Sequence, residues 1–147
     1  MKFGIVVTTI NNGNFIHEYY HHFQSFSNAE NVHFYVVGDL STPASCRNQI
    51  EYYTQQGLPW YYLDPKTQDE FLKPFPKLAT EIPWQTDNRR NVGFLMAYRD
   101  RCDVIIAIDD DNYPKKNGRF SLDILQLVKT FLFSPLSDII AGLMPVR

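Results

Sequence analysis

Residues 104–114 read VIIAIDDDNYP, a short apolar run that stops abruptly in three aspartates, an Asn, a Tyr and a Pro. A run of this length, with no alternation of apolar and polar residues, predicts that Val104 to Ile108 is a central parallel strand buried on both faces of an α/β sheet. The aspartates then stand at the carboxyl end of a strand, where open α/β sheets bind their ligands. Three adjacent carboxylates in a tight turn repel one another, and a bound divalent cation relieves that repulsion. Ligands that are all oxygen select a hard ion, Mn2+ or Mg2+. In extended or turn geometry Asp109 and Asp111 fall on one side, so the metal contact is assigned chiefly to Asp111 with Asp109 in support. An EF-hand is excluded, because its sixth position needs Gly where Pro114 stands, and a strand rather than a helix precedes the turn. A phosphoaspartyl enzyme is disfavoured because no acid ends the first strand.

Working outward, FGIVVTT at 3–9 is a second short apolar run, followed at once by Asn11, Asn12 and Gly13, and it predicts a buried first strand. Asn14 is placed to cap a helix reaching about Phe26, with Phe15, Tyr19, His22 and Phe26 on one face. VHFYVV at 32–37 is the next strand, ending in Gly38-Asp39-Leu40. Ser41-Thr42-Pro43 then opens a helix, on a Ser or Thr cap, that stops near Gly57. LPWYYL at 58–63 reads as a third strand, confined by Pro59 to an edge or to a start after Trp60. Pro65, Pro74, Pro76 and Pro83 make residues 64–85 a long irregular connection with at most one helical turn. From Thr86 a helix is expected, with Val92, Leu95 and Met96 inward and Asp87, Asn88, Arg89, Arg90 and Asn91 in its first turn. Ser121 is placed to cap a last helix to about Phe133, and Asp138 to Met144 reads as a further strand. There is no internal repeat.

Composition narrows the classes. The 147 residues are 44% hydrophobic and 15% aromatic, with 14 basic against 16 acidic residues, which describes one globular α/β domain over 1–147 and excludes a disordered chain. A net charge of −2 gives no general attraction for nucleic acid or anionic membrane. No apolar run approaches a membrane span, and no signal peptide is evident. Cys46 and Cys102 lack metal-ligand spacing and are too few for a disulfide framework, so reduced thiols in a cytoplasmic setting are expected.

Several residues carry candidate chemistry beside the aspartates. Asp39, at the end of the second strand, is suited to accept from a base or ribose hydroxyl, or simply to make a turn. Thr8 and Thr9 offer hydroxyl and backbone contacts to a nucleotide. Arg89 and Arg90 are placed to offset diphosphate charge near a helix start, or to pair with Asp87 on the surface, and only one of them need face the site. His17 and His21 stand at i, i+4, but with no acidic or Cys partner alongside them the expectation is against a metal there. The tyrosine pairs 19–20, 52–53 and 61–62 are expected in core and rim packing.

Taken in order, IVVTTIN, YVVGDLSTP, TDNRRNVGFLMA and IIAIDDDNYP resemble the nucleotide-sugar-binding half of a GT-A glycosyltransferase. The similarity is nearest to STELLO-like proteins and more distant to the reversibly glycosylated polypeptides, and it spans about residues 3 to 114. It implies a Rossmann-like sheet flanked by helices, a UDP-sugar or similar nucleotide-sugar donor, a glycan or other hydroxyl acceptor, and Mn2+ or Mg2+ at the aspartates. By resemblance Thr8 and Thr9 flank the base, Asp39 lies at the nucleoside, Arg89, Arg90 and Asn91 lie near the diphosphate, and Asp109, Asp110 and Asp111 form the metal motif. Two features depart from the pattern: Asp100-Arg101-Cys102-Asp103 replaces a Gly-containing turn, and only 36 residues follow Asp111. The acceptor part is therefore expected to be short or absent, and neither Asp123 nor Asp138 is assigned as a catalytic base. The alternative is a nucleotide-sugar-binding module, as a homo-oligomer or with a partner subunit that supplies the acceptor side. A weaker alternative is a phosphohydrolase with a metal-activated water.

Overall fold

A computed structural model describes residues 2–25 and 29–114. The chain divides into two units, Met1–Tyr113 and Pro114–Arg147, and the sheet with its helices belongs to the first. The expected helix from Ser121, the expected strand from Asp138, the acids Asp123 and Asp138, and Phe26 lie outside the described residues.

Four strands, β1 (Phe3–Thr9), β2 (Val32–Gly38), β3 (Trp60–Leu63) and β4 (Val104–Asp109), form one all-parallel sheet in the order β3-β2-β1-β4. Parallel neighbours need crossovers. These are α1 (Asn14–Ser25) between β1 and β2, α2 (Ala44–Gln55) between β2 and β3, and α3 (Pro65–Leu72), α4 (Pro76–Glu81) and α5 (Arg90–Arg99) between β3 and β4. Strand order runs outward from β1 to β3 and then reverses to β4, an arrangement compatible with a Rossmann-like fold whose switch point lies between β1 and β4. Thr8 stands in register with Asp109 there, and Thr9 with Gly38 on the other side.

The sheet is covered on both faces. On one, Phe34 and Trp60 pack with Phe15, Tyr19 and Phe23 of α1 and Tyr53 of α2 in a layer of aromatic rings with centres 5.0–6.5 Å apart. On the other, Val6, Tyr35, Val37 and Leu63 meet Leu72, Ile82, Val92, Met96 and Ala97. Of the inward face expected for α1, Phe15, Tyr19 and His22 are buried, joined by Ile16 and Phe23.

Several expectations need correction. Residues 64–85 are not irregular: they hold α3 and α4, and Pro65 and Pro76 open these helices rather than break them, since a proline in the first turn gives up an N–H that has no helical partner anyway. Asp64 is a true N-cap, its Oδ1 accepting from Thr67 N–H at 2.6 Å. The Ser/Thr cap expected for α2 is absent. The helix follows Pro43 with no side-chain cap, because the Thr42 hydroxyl instead donates to Thr9 O at 2.6 Å and accepts from Asp39 N–H at 2.7 Å. Asn14 is the first residue of α1 rather than its cap. Nor is β4 central: among the described residues it is an edge strand, with Val104, Ile105 and Ile106 only half-buried. An apolar run reports covered faces and carries no information on which edges are paired. On α5 the buried set is Val92, Gly93, Met96 and Ala97, while Leu95 is half-buried, because the small Gly93 and Ala97 let the helix sit low on the sheet.

Asp64→Ala is expected to lower stability by about 1–2 kcal/mol, from the lost cap and the lost ion pair with Arg47. Asp64→Asn keeps the cap and should cost under about 1 kcal/mol. Urea denaturation of both variants separates the two contributions, and equal losses would assign the effect to the charge.

Candidate functional site

Parallel strands deliver their carboxyl ends to one rim, and that rim holds a crevice of about 470 Å³. Thr8, Thr9 and Asn11 line it from β1 and its loop, Asp39 and Ser41 from the end of β2, and Asp110 from the end of β4. Gln85, Thr86 and Asp87 form the outer wall, with Arg89 beneath them.

The aspartates are held in three different ways. Asp110 is tied to β1: its Oδ2 accepts from Thr9 Oγ1 at 2.5 Å and from Asn11 Nδ2 at 2.8 Å, while the Thr9 hydroxyl also accepts from Asn11 N–H at 3.0 Å. Asp109 is exposed and pairs with Arg90, whose Nη2 also lies 3.4 Å from Thr8 Oγ1. Asp111 is exposed and accepts from Asn112 Nδ2 at 3.4 Å, in a turn closed by Asn112 N–H donating to Asp109 O at 3.0 Å. Among the described residues, no three His, Cys, Asp or Glu side chains are grouped to hold a metal ion.

Asp39 is 8% exposed and its two oxygens are divided between two loops. Oδ1 accepts from Leu40 N–H at 2.6 Å, and Oδ2 accepts from Gln85 N–H at 2.9 Å. Gln85 has a φ of 59°, a left-handed backbone that costs energy for a side chain of its size, and Asp39 is the group that holds it in place at the crevice wall.

The two arginines separate sharply. Arg89 is 2% exposed. Its Nε and Nη2 donate to Gln68 Oε1 at 2.9 and 2.6 Å, its Nη1 donates to Ile82 O at 3.0 Å, and its guanidinium lies 3.4 Å over the Trp84 ring. Gln68, fully buried, donates in turn from Nε2 to Gly38 O and to Leu63 O, each at 2.6 Å. Burial lowers the pKa of Arg89, while the charges of Asp69 and Asp39 oppose that shift. Arg90 is half-buried, with its Nε buried and lacking an acceptor among the described residues. Neither arginine pairs with Asp87.

The expected residues therefore divide. Thr8, Thr9, Asp39, Arg89 and Asp110 line the crevice; Arg90 and Asp109 form a pair at its edge; Asn91 and Asp111 are exposed beside it. Asn11, Gln68 and Gln85 were not singled out in the sequence. Asn11 had a signal in the Asn-Asn-Gly loop after β1, whereas Gln68 had none, because its partners Gly38 and Arg89 are 30 and 21 residues away. Cys46 and Cys102 are both free thiols, and burial pushes Cys46 up to about 12. No helix among the described residues is long and apolar enough to cross a membrane. No protein-family model matches the sequence, and a search of curated proteins returns no relative.

Proposed function

We propose that this chain carries the donor-binding half of a metal-dependent glycosyltransferase of GT-A type, moving a sugar from a nucleotide-sugar such as a UDP-sugar to a hydroxyl of a glycan or other acceptor. The observation that supports it is the crevice at the β1/β4 switch, where Thr8, Thr9, Asp39 and Asp110 meet and the Asp109–Asp111 turn stands at the edge. Hydroxyls, a buried carboxylate and backbone groups suit a nucleoside, and the half-buried Arg90 guanidinium at the crevice edge suits its diphosphate.

The donor set fits Mn2+ or Mg2+. Such ions are usually held by one or two carboxylates and complete their shell with water and substrate phosphates, so three converging protein ligands are not required. Asp111 and Asp109 would hold the ion, while Asp110 is occupied in fixing the turn to β1. When bound, the cation offsets negative charge on the departing nucleoside diphosphate. Arg90 bridges Thr8 and Asp109, and transfer of its guanidinium from Asp109 to the diphosphate would free that carboxylate for the ion.

Calorimetric titration of UDP with and without Mn2+ tests this reading. Binding is expected to depend on Mn2+, and Asp111→Asn should weaken the metal-dependent part by about tenfold or more. Folded protein that does not bind UDP would overturn the proposal. Binding without acceptor-dependent product would assign the chain to a donor-binding module, and phosphate release without acceptor would assign it to a hydrolase.

A further inference from the structure

On the exposed side of α1, away from the crevice, His17 and His21 bring their Nε2 atoms to 2.9 Å of each other. The rings are almost perpendicular, at 89°, with centres 4.3 Å apart. A head-on N–H···N hydrogen bond of that length would put ring centres about 5 Å apart, so the two nitrogens converge at an angle instead of facing along one line. Two imidazole nitrogens about 2.0–2.1 Å from one ion, at a right angle, lie about 2.9 Å from each other.

Support from behind completes the arrangement. His17 Nδ1 lies 2.6 Å from the Tyr53 hydroxyl, and Tyr53 is itself buried and stacked on Tyr20 with ring centres 4.5 Å apart. A histidine that ligates through Nε2 needs a partner at Nδ1 to fix its tautomer and ring orientation, and Tyr53 stands in that position.

We infer that His17 and His21 form a two-nitrogen clip for a borderline transition-metal ion, with Cu2+ bound more tightly than Ni2+ or Zn2+. Neutral imidazole pairs favour these ions over the hard cations that suit the aspartate turn, and Cu2+ heads the affinity order for a given nitrogen site. The right-angle spacing matches two adjacent positions of a square or tetragonal shell, whose other positions remain open to water or to a ligand from outside. This site is independent of the crevice and of the reading given to it.

Copper(II) titrated into the full chain near neutral pH, followed by calorimetry and electron paramagnetic resonance, tests the inference. One ion is expected, with splitting from two imidazole nitrogens. His21→Ala and His17→Ala should each weaken binding by about tenfold or more and remove one nitrogen from the spectrum. Tyr53→Phe should weaken it by about tenfold while keeping both nitrogens. Both histidines are exposed, so these variants should keep the circular dichroism of the parent. Copper binding that is unchanged in the His17→Ala/His21→Ala double variant, or that is lost in Asp111→Asn or His33→Ala, would overturn the inference.

Discussion

Arg89→Ala is expected to remove about 3–5 kcal/mol of folding stability, a large part of the roughly 5–15 kcal/mol a domain possesses. The loss has an identifiable origin. Gln68 Oε1 takes two of its hydrogen bonds from this guanidinium and Ile82 O takes another, and alanine leaves both acceptors buried without them. Each orphaned group costs about 1–3 kcal/mol, and the vacated volume beside Trp84 adds to that. Relief from burying the cation works in the opposite direction, but Arg89 has five donors and uses its planar fork to distribute the charge over several acceptors. Arg89→Lys should restore only part of the stability, because a point charge cannot bridge Gln68 and Ile82 and lie flat on an indole at once. Chemical denaturation at constant slope measures the difference. A loss below about 1 kcal/mol for Arg89→Ala would show that the network contributes little.

Gly93→Val is expected to cost about 3 kcal/mol or more. A Cβ built on Gly93 would lie 2.4 Å from Val6 Cγ1 and 2.9 Å from Val37 Cγ2. Both valines are buried on the two central strands and have short, stiff side chains, so neither can swing aside. Gly93→Ala decides the sign. If the glycine were only a weak spot in α5, alanine would stabilise by about 1 kcal/mol through helix propensity. Overpacking against Val6 and Val37 predicts instead a net loss of about 1–2 kcal/mol. A raised denaturation midpoint for the alanine variant would mean that the helix lifts off the sheet without penalty.

The parts of this molecule visible in its sequence are those governed by neighbours along the chain. FGIVVTT, VHFYVV and VIIAI are short, apolar and bounded by turn residues, and all three are strands. The turn that follows the last of them brings its aspartates to the carboxyl rim because strand polarity alone decides that. Proline is ambiguous over 64–85, since the same residue that ends a helix also opens one; Asp64 and its bond to Thr67 mark the start at Pro65, whereas Pro76 follows Phe75 with no side-chain cap. Among the described residues β4 ends the sheet, and sheet order is something no local pattern encodes. Arg89 and Arg90 are adjacent and identical in type, yet one is buried on Gln68 and the other reaches Asp109. Their difference comes from the roughly 100° of helix phase between adjacent residues and from a glutamine 21 residues upstream. Spacing with Val92 and Met96 predicts Leu95 inward; it packs half-buried against the core, while the close approach at Gly93 brings the smaller Gly93 and Ala97 into full burial.

The stacking of Arg89 on Trp84 has an optical consequence. The chain has two tryptophans, Trp60 sealed among aromatic rings in the core and Trp84 next to Gln85 in the crevice wall, with a cation 3.4 Å over its face. A positive charge against one face of an indole shifts its emission, so Trp84 fluorescence reports whether Arg89 stays stacked on it as the protein unfolds. Among the described residues no cation stacks on Trp60, whose emission follows the packing of the core. Comparing the protein with Trp84→Phe isolates the signal of the wall from that of the interior. The molecule thereby carries a label-free gauge one residue from Gln85 of the crevice wall and a second signal in its core, both read in one cuvette.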